Sequence, residues 1–503
     1  MKRMLLLVGV IVLITSCTSR SRKVAQRDTP SRAAQPRGAA PAEAVVVTGG
    51  ATNETPSGVI VARGRDSRTW KREKIEKLKD GRTVRRTNTV VELASGMHYR
   101  DPADGQLKEA REEVEITADG AKADKLDYKV HFKGNINSPN VFTITTPDQK
   151  NLRATVRGLA YTDPVNGHVV MFAPVRDSTG VLMPPNTVLY PDAFTGTRAD
   201  LRAVVTRGRF ESDVILREKL PPPGNWNLDP AATLLEVWTE FDSPEPKRTS
   251  RPRGHLVDET LDFGAARIGP GTAFALDVPP GSGNRIPVAK TWLKTPEGKT
   301  YLVESVRYSS LAKAMAQLPD RQAAAGPNGP LPPGVAFSSR VAALSAITPS
   351  PVATPSRPVQ TAWDRPLFER SKGLVVDYTV SFGATNLTNF IFQADTNYLV
   401  TGVLNLFGDA TFENAVIKFA TTNQSVIQVF ENVTFKTDFY RPVIFTSQMD
   451  NSVGEDVSAV GAPTNYSHAL SIGQRDVESH HLRISYANVG LHTFATKVRH
   501  ALS

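Results

Sequence analysis

The sequence predicts an all-β protein in two folded parts, a β-meander or sandwich region followed by a short parallel β-helix. Three observations carry this. Apolar and polar residues alternate with period two in the first part, turn-forming motifs recur between the alternating runs, and short apolar runs repeat at a fixed offset near the end. Period two puts successive side chains on opposite faces of a strand, so each run has one face to bury. Brief strands at a fixed offset are the pattern of stacked coils. With 503 residues the chain is too long for one core, and two or three domains of roughly 100–200 residues each are expected.

Residues 1–17 read as an export signal. Met1, Lys2 and Arg3 form a basic head, an apolar run follows from Met4 to Ile14, and Thr15 and Ser16 precede Cys17. That run falls short of the roughly 20 apolar residues a permanent membrane helix needs, but suits the hydrophobic region of a signal peptide. The stretch Ile14-Thr15-Ser16-Cys17 resembles the lipobox of bacterial lipoproteins, with Ile where Leu is usual. Cys17 is the only cysteine in the chain, so no intramolecular disulfide forms, and lipidation accounts for both its position and its solitude. The resemblance implies membrane lipid as a partner through acylated Cys17 and a place in the cell envelope. Thr18 is not the Asp that retains such proteins at the inner membrane, which implies the outer membrane or cell surface.

Residues 18–57 are rich in Ala, Pro, Arg, Ser and Thr without apolar periodicity, and predict a disordered basic tether. The net charge of +10 is concentrated here and just beyond: eleven Lys or Arg against four acids lie between Arg63 and Arg86. A basic stretch beside a lipid anchor fits anionic lipid or cell-wall polymer. Nucleic acid is not an expected partner, because only Trp70 interleaves this run with an aromatic ring.

Residues 58–308 predict the β-rich body. Tyr128, Val130 and Phe132 alternate with Lys129 and His131; Leu235, Val237, Thr239 and Phe241 alternate with Glu236, Trp238 and Glu240. Tyr99-Arg100-Asp101-Pro102-Ala103-Asp104-Gly105 returns as Tyr161-Thr162-Asp163-Pro164-Val165-Asn166-Gly167. Both predict hairpins, since Asp-Gly and Asn-Gly supply the positive φ of tight turns. Arg72 to Lys79 is read as a weak helix. Residues 309–370 predict a helix at Ser310–Leu318, where Leu311, Ala314, Met315 and Leu318 share a face before Pro319, and then an Ala/Pro-rich linker. Ten prolines lie between Pro319 and Pro366, which predicts an extended spacer holding the folded parts apart.

Residues 371–503 predict the coils. Phe412-Glu413-Asn414-Ala415-Val416-Ile417-Lys418 is echoed 18 residues later by Phe430-Glu431-Asn432-Val433-Thr434-Phe435-Lys436, with Asn able to ladder in the turns. The run Pro442 to Ser447 with Asp450, Ser452 and Gly454, and the run Leu482 to Leu491, resemble coils of right-handed parallel β-helices of the pectate-lyase-like kind in large exported bacterial surface proteins. The resemblance implies a shortened, incomplete right-handed parallel β-helix, and a fold rather than an activity.

The residues themselves name no catalytic set and no cofactor. A β-helix lyase needs clustered acids for Ca²⁺ and a basic residue, and a hydrolase needs paired carboxylates. The nearest approach is Asp450, Glu455 and Asp456, read as a loop between coils; Asp395 and Asp409 read as turn residues. Adjacent His480 and His481 would point to opposite faces of a strand and read as a surface pair. No Gly-x-Ser-x-Gly elbow marks a nucleophile. Gly269-Pro270-Gly271 and Gly281-Ser282-Gly283 read as turns, and the Asn-x-Ser/Thr matches at Asn53, Asn386, Asn423, Asn432 and Asn465 as chance. The expected function is a non-catalytic surface or envelope module for adhesion, glycan contact or assembly with other envelope proteins; the alternative is a carbohydrate-active enzyme working in a β-helix groove.

Overall fold

A computed structural model describes residues 58–78, 80–253, 256–269, 271–276, 286–320, 335–337, 340–346, 358–361, 373–381, 387–394, 396–421, 425–438, 440–455, 457, 462–473 and 477–493. All of them fall in one compact unit, Val45–Ser503. Cys17, the tether, Asp395, Asp456, Asn53, Asn386, Asn423, Pro270 and the 281–283 turn lie outside the described residues. The protein is all-β, with two short α-helices among the described residues.

The chain opens on three antiparallel strands, β1 (Val59–Gly64), β2 (Ser67–Lys77) and β3 (Thr83–Leu93). The weak helix expected over Arg72–Lys79 is therefore corrected to the distal half of β2, paired residue for residue with β3. Asp80-Gly81 decides the matter: Gly81 holds φ 85° and the Asp80 carboxylate accepts the Arg82 N–H at 3.0 Å, so the chain reverses instead of coiling.

The body is a large, nearly closed, mainly antiparallel sheet system. Its strands include β4 (Asn151–Thr162), β5 (Val169–Pro174), β6 (Arg209–Leu216), β7 (Leu234–Asp242) and β8 (Thr300–Arg307), with β4 between β5 and β7 and β7 paired onward to β8. Both expected hairpins form with the same turn. Gly105 (φ 69°) and Gly167 (φ 73°) donate to the carbonyls of Asp101 and Asp163, each at 2.8 Å. Tyr128, Val130 and Phe132, like Leu235, Val237 and Phe241, enter one continuous core, but only the first run buries a single face: on β7 Glu236 and Trp238 are buried too, because its second face is also covered.

α1 (Tyr308–Met315) follows β8, one turn earlier than expected, with Leu311 and Met315 buried. The spacer reading of 319–366 needs correction. β9 (Val335–Phe337) adds antiparallel to β5, α2 (Arg340–Ala346) buries Ala343 and Leu344 on the outer sheet face, and Gln360 and Thr361 pair with Val181 and Leu182. A few apolar residues spaced among prolines suffice to dock the segment, and they leave no period to read. β10 (Leu374–Ser381), expected to open the β-helix, pairs with β6 and belongs to the body. Its composition matches either region, so only pairing assigns it.

The remaining strands form three parallel ladders. Asn397–Val400, Val416–Phe419, Val443–Ser447 and Leu482–Ile484 make the first; Val403–Leu406, Val426–Val429, Tyr466–Ile472 and Ala487–Thr493 the second; Ile391–Phe392, Asp409–Phe412 and Asn432–Phe435 the third. Parallel neighbours require crossover connections, and here the other two ladders supply them. β3 caps the first ladder through Val91 to Leu93 against Tyr398 to Val400, so a strand from the segment expected to form the body completes a region expected to start at 371. The 18-residue echo is corrected too. Phe412 stacks on Phe435 and Phe407 on Phe430, each 23 residues apart, whereas Phe412 ends a strand of the third ladder and Phe430 follows one of the second, Val426–Val429.

Candidate functional site

The acids of the ladder region hold its loops. Asp450 is buried and takes hydrogen bonds from the Thr446 hydroxyl at 2.7 Å and from the Ser452 N–H and hydroxyl. Burial pushes its carboxyl up, but the Ser452 and Thr446 hydrogen bonds and the nearby Lys418 outweigh this and hold it below its ordinary range. Lys418, fully buried, donates to the backbone carbonyls of Asp450 at 2.8 Å and Glu455 at 2.6 Å. Its position in the echoed motif marks it as a strand residue, and nothing there shows that the loop at 450–455 covers it. Asp409 caps a polar ladder: its N–H donates to Asn389 Oδ1 at 2.8 Å and its carboxylate accepts from Asn432 Nδ2 at 2.8 Å. Asn465 and Asn488 repeat the arrangement at 3.1 Å. His480 pairs with Glu478 at 3.1 Å, and His481 sits at φ 52°. Among the described residues no three His, Cys, Asp or Glu are arranged to hold a metal ion.

Two cavities offer binding surface. The larger, about 640 Å³, is an open groove over the Tyr99–Gly105 hairpin, lined by Tyr99, Lys108, Arg111, Glu113, Lys125 and Arg207 among others. Lys108 bridges Asp101 and Asp104; it holds the Asp101 carboxyl below its ordinary range, the Gln106 N–H and then Lys108 do the same for Asp104, and Glu112 accepts the Arg207 N–H at 2.8 Å. The second, about 350 Å³, lies where the body meets the ladders. Arg267 stands 4.1 Å above the Phe407 ring and pairs with Asp262 at 3.0 Å and Glu431 at 2.9 Å. A planar guanidinium over an aromatic face, fixed by two carboxylates, is a rigid polar platform.

Comparison with family models, with curated proteins and with solved structures finds no match. Function therefore rests on these surfaces. The groove was not foreseen: its residues come from a hairpin, a connecting segment and the loops or turns holding Lys125, Pro185 and Arg207, which no local motif links. The hairpin motif beneath it was the one available signal. No helix among the described residues is long and apolar enough to cross a membrane.

Proposed function

We propose that the protein is an exported, membrane-anchored lipoprotein whose folded part is a non-catalytic binding module of the cell envelope, contacting glycan or neighbouring envelope proteins. The observation that carries this is the use of the ladder acids: Asp450 spends both carboxylate oxygens on loop hydrogen bonds and Asp409 one on the polar ladder, and a lyase or hydrolase would need such groups free to meet substrate. On this reading the ladders are a short right-handed parallel β-helix, and the open groove and the Arg267 platform are contact surfaces.

A glycan array paired with reducing-sugar and unsaturated-product assays tests it. Retention of a glycan without turnover supports the module; turnover supports the carbohydrate-active alternative. The anchor has its own test. Cys17→Ala removes the acyl acceptor, so the variant is expected in the soluble fraction while the parent stays with membranes through a high-salt wash, acyl chains contributing about 0.8 kcal/mol per buried CH₂. An unmodified thiol at Cys17 by intact mass overturns that part.

A further inference from the structure

The outer face of the body carries a socket that the proposed binding role does not use. Glu236, on β7, is fully buried and held by three groups of the sheet itself: Thr162 Oγ1 at 2.7 Å, Trp238 Nε1 at 2.9 Å and Ser305 Oγ at 3.0 Å. The socket is thus formed by β4, β7 and β8 alone. Arg340 of α2 closes it, with Nε 3.2 Å from Glu236 and a second, shorter contact through the other guanidinium nitrogen. Beside it Ala343 and Leu344 pack into an apolar cluster with Trp238, Tyr301 and Val303, and Tyr301 donates to the Leu344 carbonyl at 3.2 Å. Upstream, β9 extends the sheet by pairing Val335, Ala336 and Phe337 with Met171, Val170 and Val169 of β5.

An open strand edge, an acidic socket and an apolar shelf are what recognition of a peptide by strand addition requires: backbone hydrogen bonds supply attachment and side-chain pockets supply selectivity. Glycosidase chemistry does not fit the same face. Glu236 and Glu240 lie four residues apart on one strand, about 13 Å at the rise of a strand, beyond the roughly 5–9.5 Å such pairs use.

We propose that this face is a peptide-docking site, filled within the chain by residues 335–346 and open to the same segment of a second copy. Reach permits the exchange. Fourteen residues, 321–334, join Asp320, which Lys219 holds to the body, to β9, and twelve, 347–358, join α2 to Val359, so each arm spans up to roughly 40–50 Å when extended. The docked segment is short, and swapping identical elements keeps every contact while adding a partner.

Two variants separate the halves of the lock. Arg340→Ala keeps the socket and disables the segment; Glu236→Gln keeps the segment and disables the socket. Each alone is expected to stay monomeric by sedimentation, with unchanged circular dichroism, while an equimolar mixture forms a mixed dimer in which the intact segment fills the intact socket. A synthetic peptide of residues 334–347 is expected to bind the Arg340→Ala protein, and about tenfold more weakly once Glu236→Gln is added, the fold-change for losing a charged hydrogen-bond partner. Folded variants that give no mixed dimer overturn the proposal, and peptide affinity indifferent to Glu236→Gln overturns it independently.

Discussion

The antiparallel body and the parallel ladders bury polar groups by opposite means. In the body buried charges meet opposite charges: Lys290, fully buried, meets Asp258 at 2.9 Å, and Arg217 meets Asp200 at 2.7 Å. In the ladders like stacks on like. Phe392 lies parallel to Phe412 at 4.6 Å and Phe412 to Phe435 at 5.3 Å, and Asn or Asp side chains link successive coils. Repetition spreads the cost of any one contact over its neighbours; a unique pair concentrates it.

The sharpest break of that contrast is at Lys290. Burial lowers its pKa, with Asp258 working against the shift. Lys290→Met leaves Asp258 with Arg253, at 3.0 Å, as its remaining cation, so the cost in urea unfolding is expected at the lower end for a broken buried pair, about 3 kcal/mol, and Lys290→Met with Asp258→Leu should recover part of it. A double variant as weak as the single would show that the pair is not the unit.

Next in size is Asp66, in the turn between β1 and β2, where its carboxylate accepts the Gly96 N–H at 2.5 Å. Burial pushes its pKa up to about 6, against the pull of Arg65. The folded state therefore keeps a proton that the unfolded chain has already released above pH 3.8, so stability falls as pH rises from about 4 to about 6. At about 1.4 kcal/mol per unit the loss approaches 3 kcal/mol, and Asp66→Asn should flatten that window. A stability curve unchanged by the substitution would remove Asp66 as its source.

How much was legible follows the same contrast. Hairpins at Asp101–Gly105 and Asp163–Gly167 could be read because turn chemistry is local, and the alternation around Val130 because a half-buried strand repeats every two residues; around Val237 the face carrying Glu236 and Trp238 is buried as well, which alternation does not reveal. The coils were visible as repetition, but at the wrong offset, since Phe-Glu-Asn recurs on strands of two different ladders. The partners of Glu236, Lys290 and Lys418 could not be read at all: each is joined by pairing or by a loop 32 to 104 residues away. For the same reason β3 and β10 were assigned to each other's region.

Within the ladders, Phe412→Leu tests whether stacking adds to burial. Leucine keeps most of the apolar volume but loses two stacked ring contacts, to Phe392 and Phe435, and a tilted one to Phe445; at about 0.5–1.5 kcal/mol beyond area for each stacked pair, about 1–3 kcal/mol is expected. Hydrogen exchange should quicken in the ladders first and leave the body protected, because coils contact chiefly their neighbours. Equal quickening everywhere would mean the two regions unfold as one.

The smallest effect belongs to the polar ladder, and its size decides what that ladder is. Asn432 is exposed and donates one hydrogen bond to Asp409, which also makes a backbone bond to Asn389. Removing the amide with Asn432→Ala leaves the Asp409 carboxylate facing water, which takes the vacated lone pair, so no buried group goes unsatisfied. A hydrogen bond exchanged for one with solvent is worth about 0.5–1.5 kcal/mol, and exposure puts this one at the lower end. Asp409→Asn should cost less still, because an amide oxygen accepts from Asn432 as the carboxylate does. A denaturation midpoint displaced by more than about 2 kcal/mol in either variant would show that the surface ladder, not the stacked rings beneath it, sets the coil register.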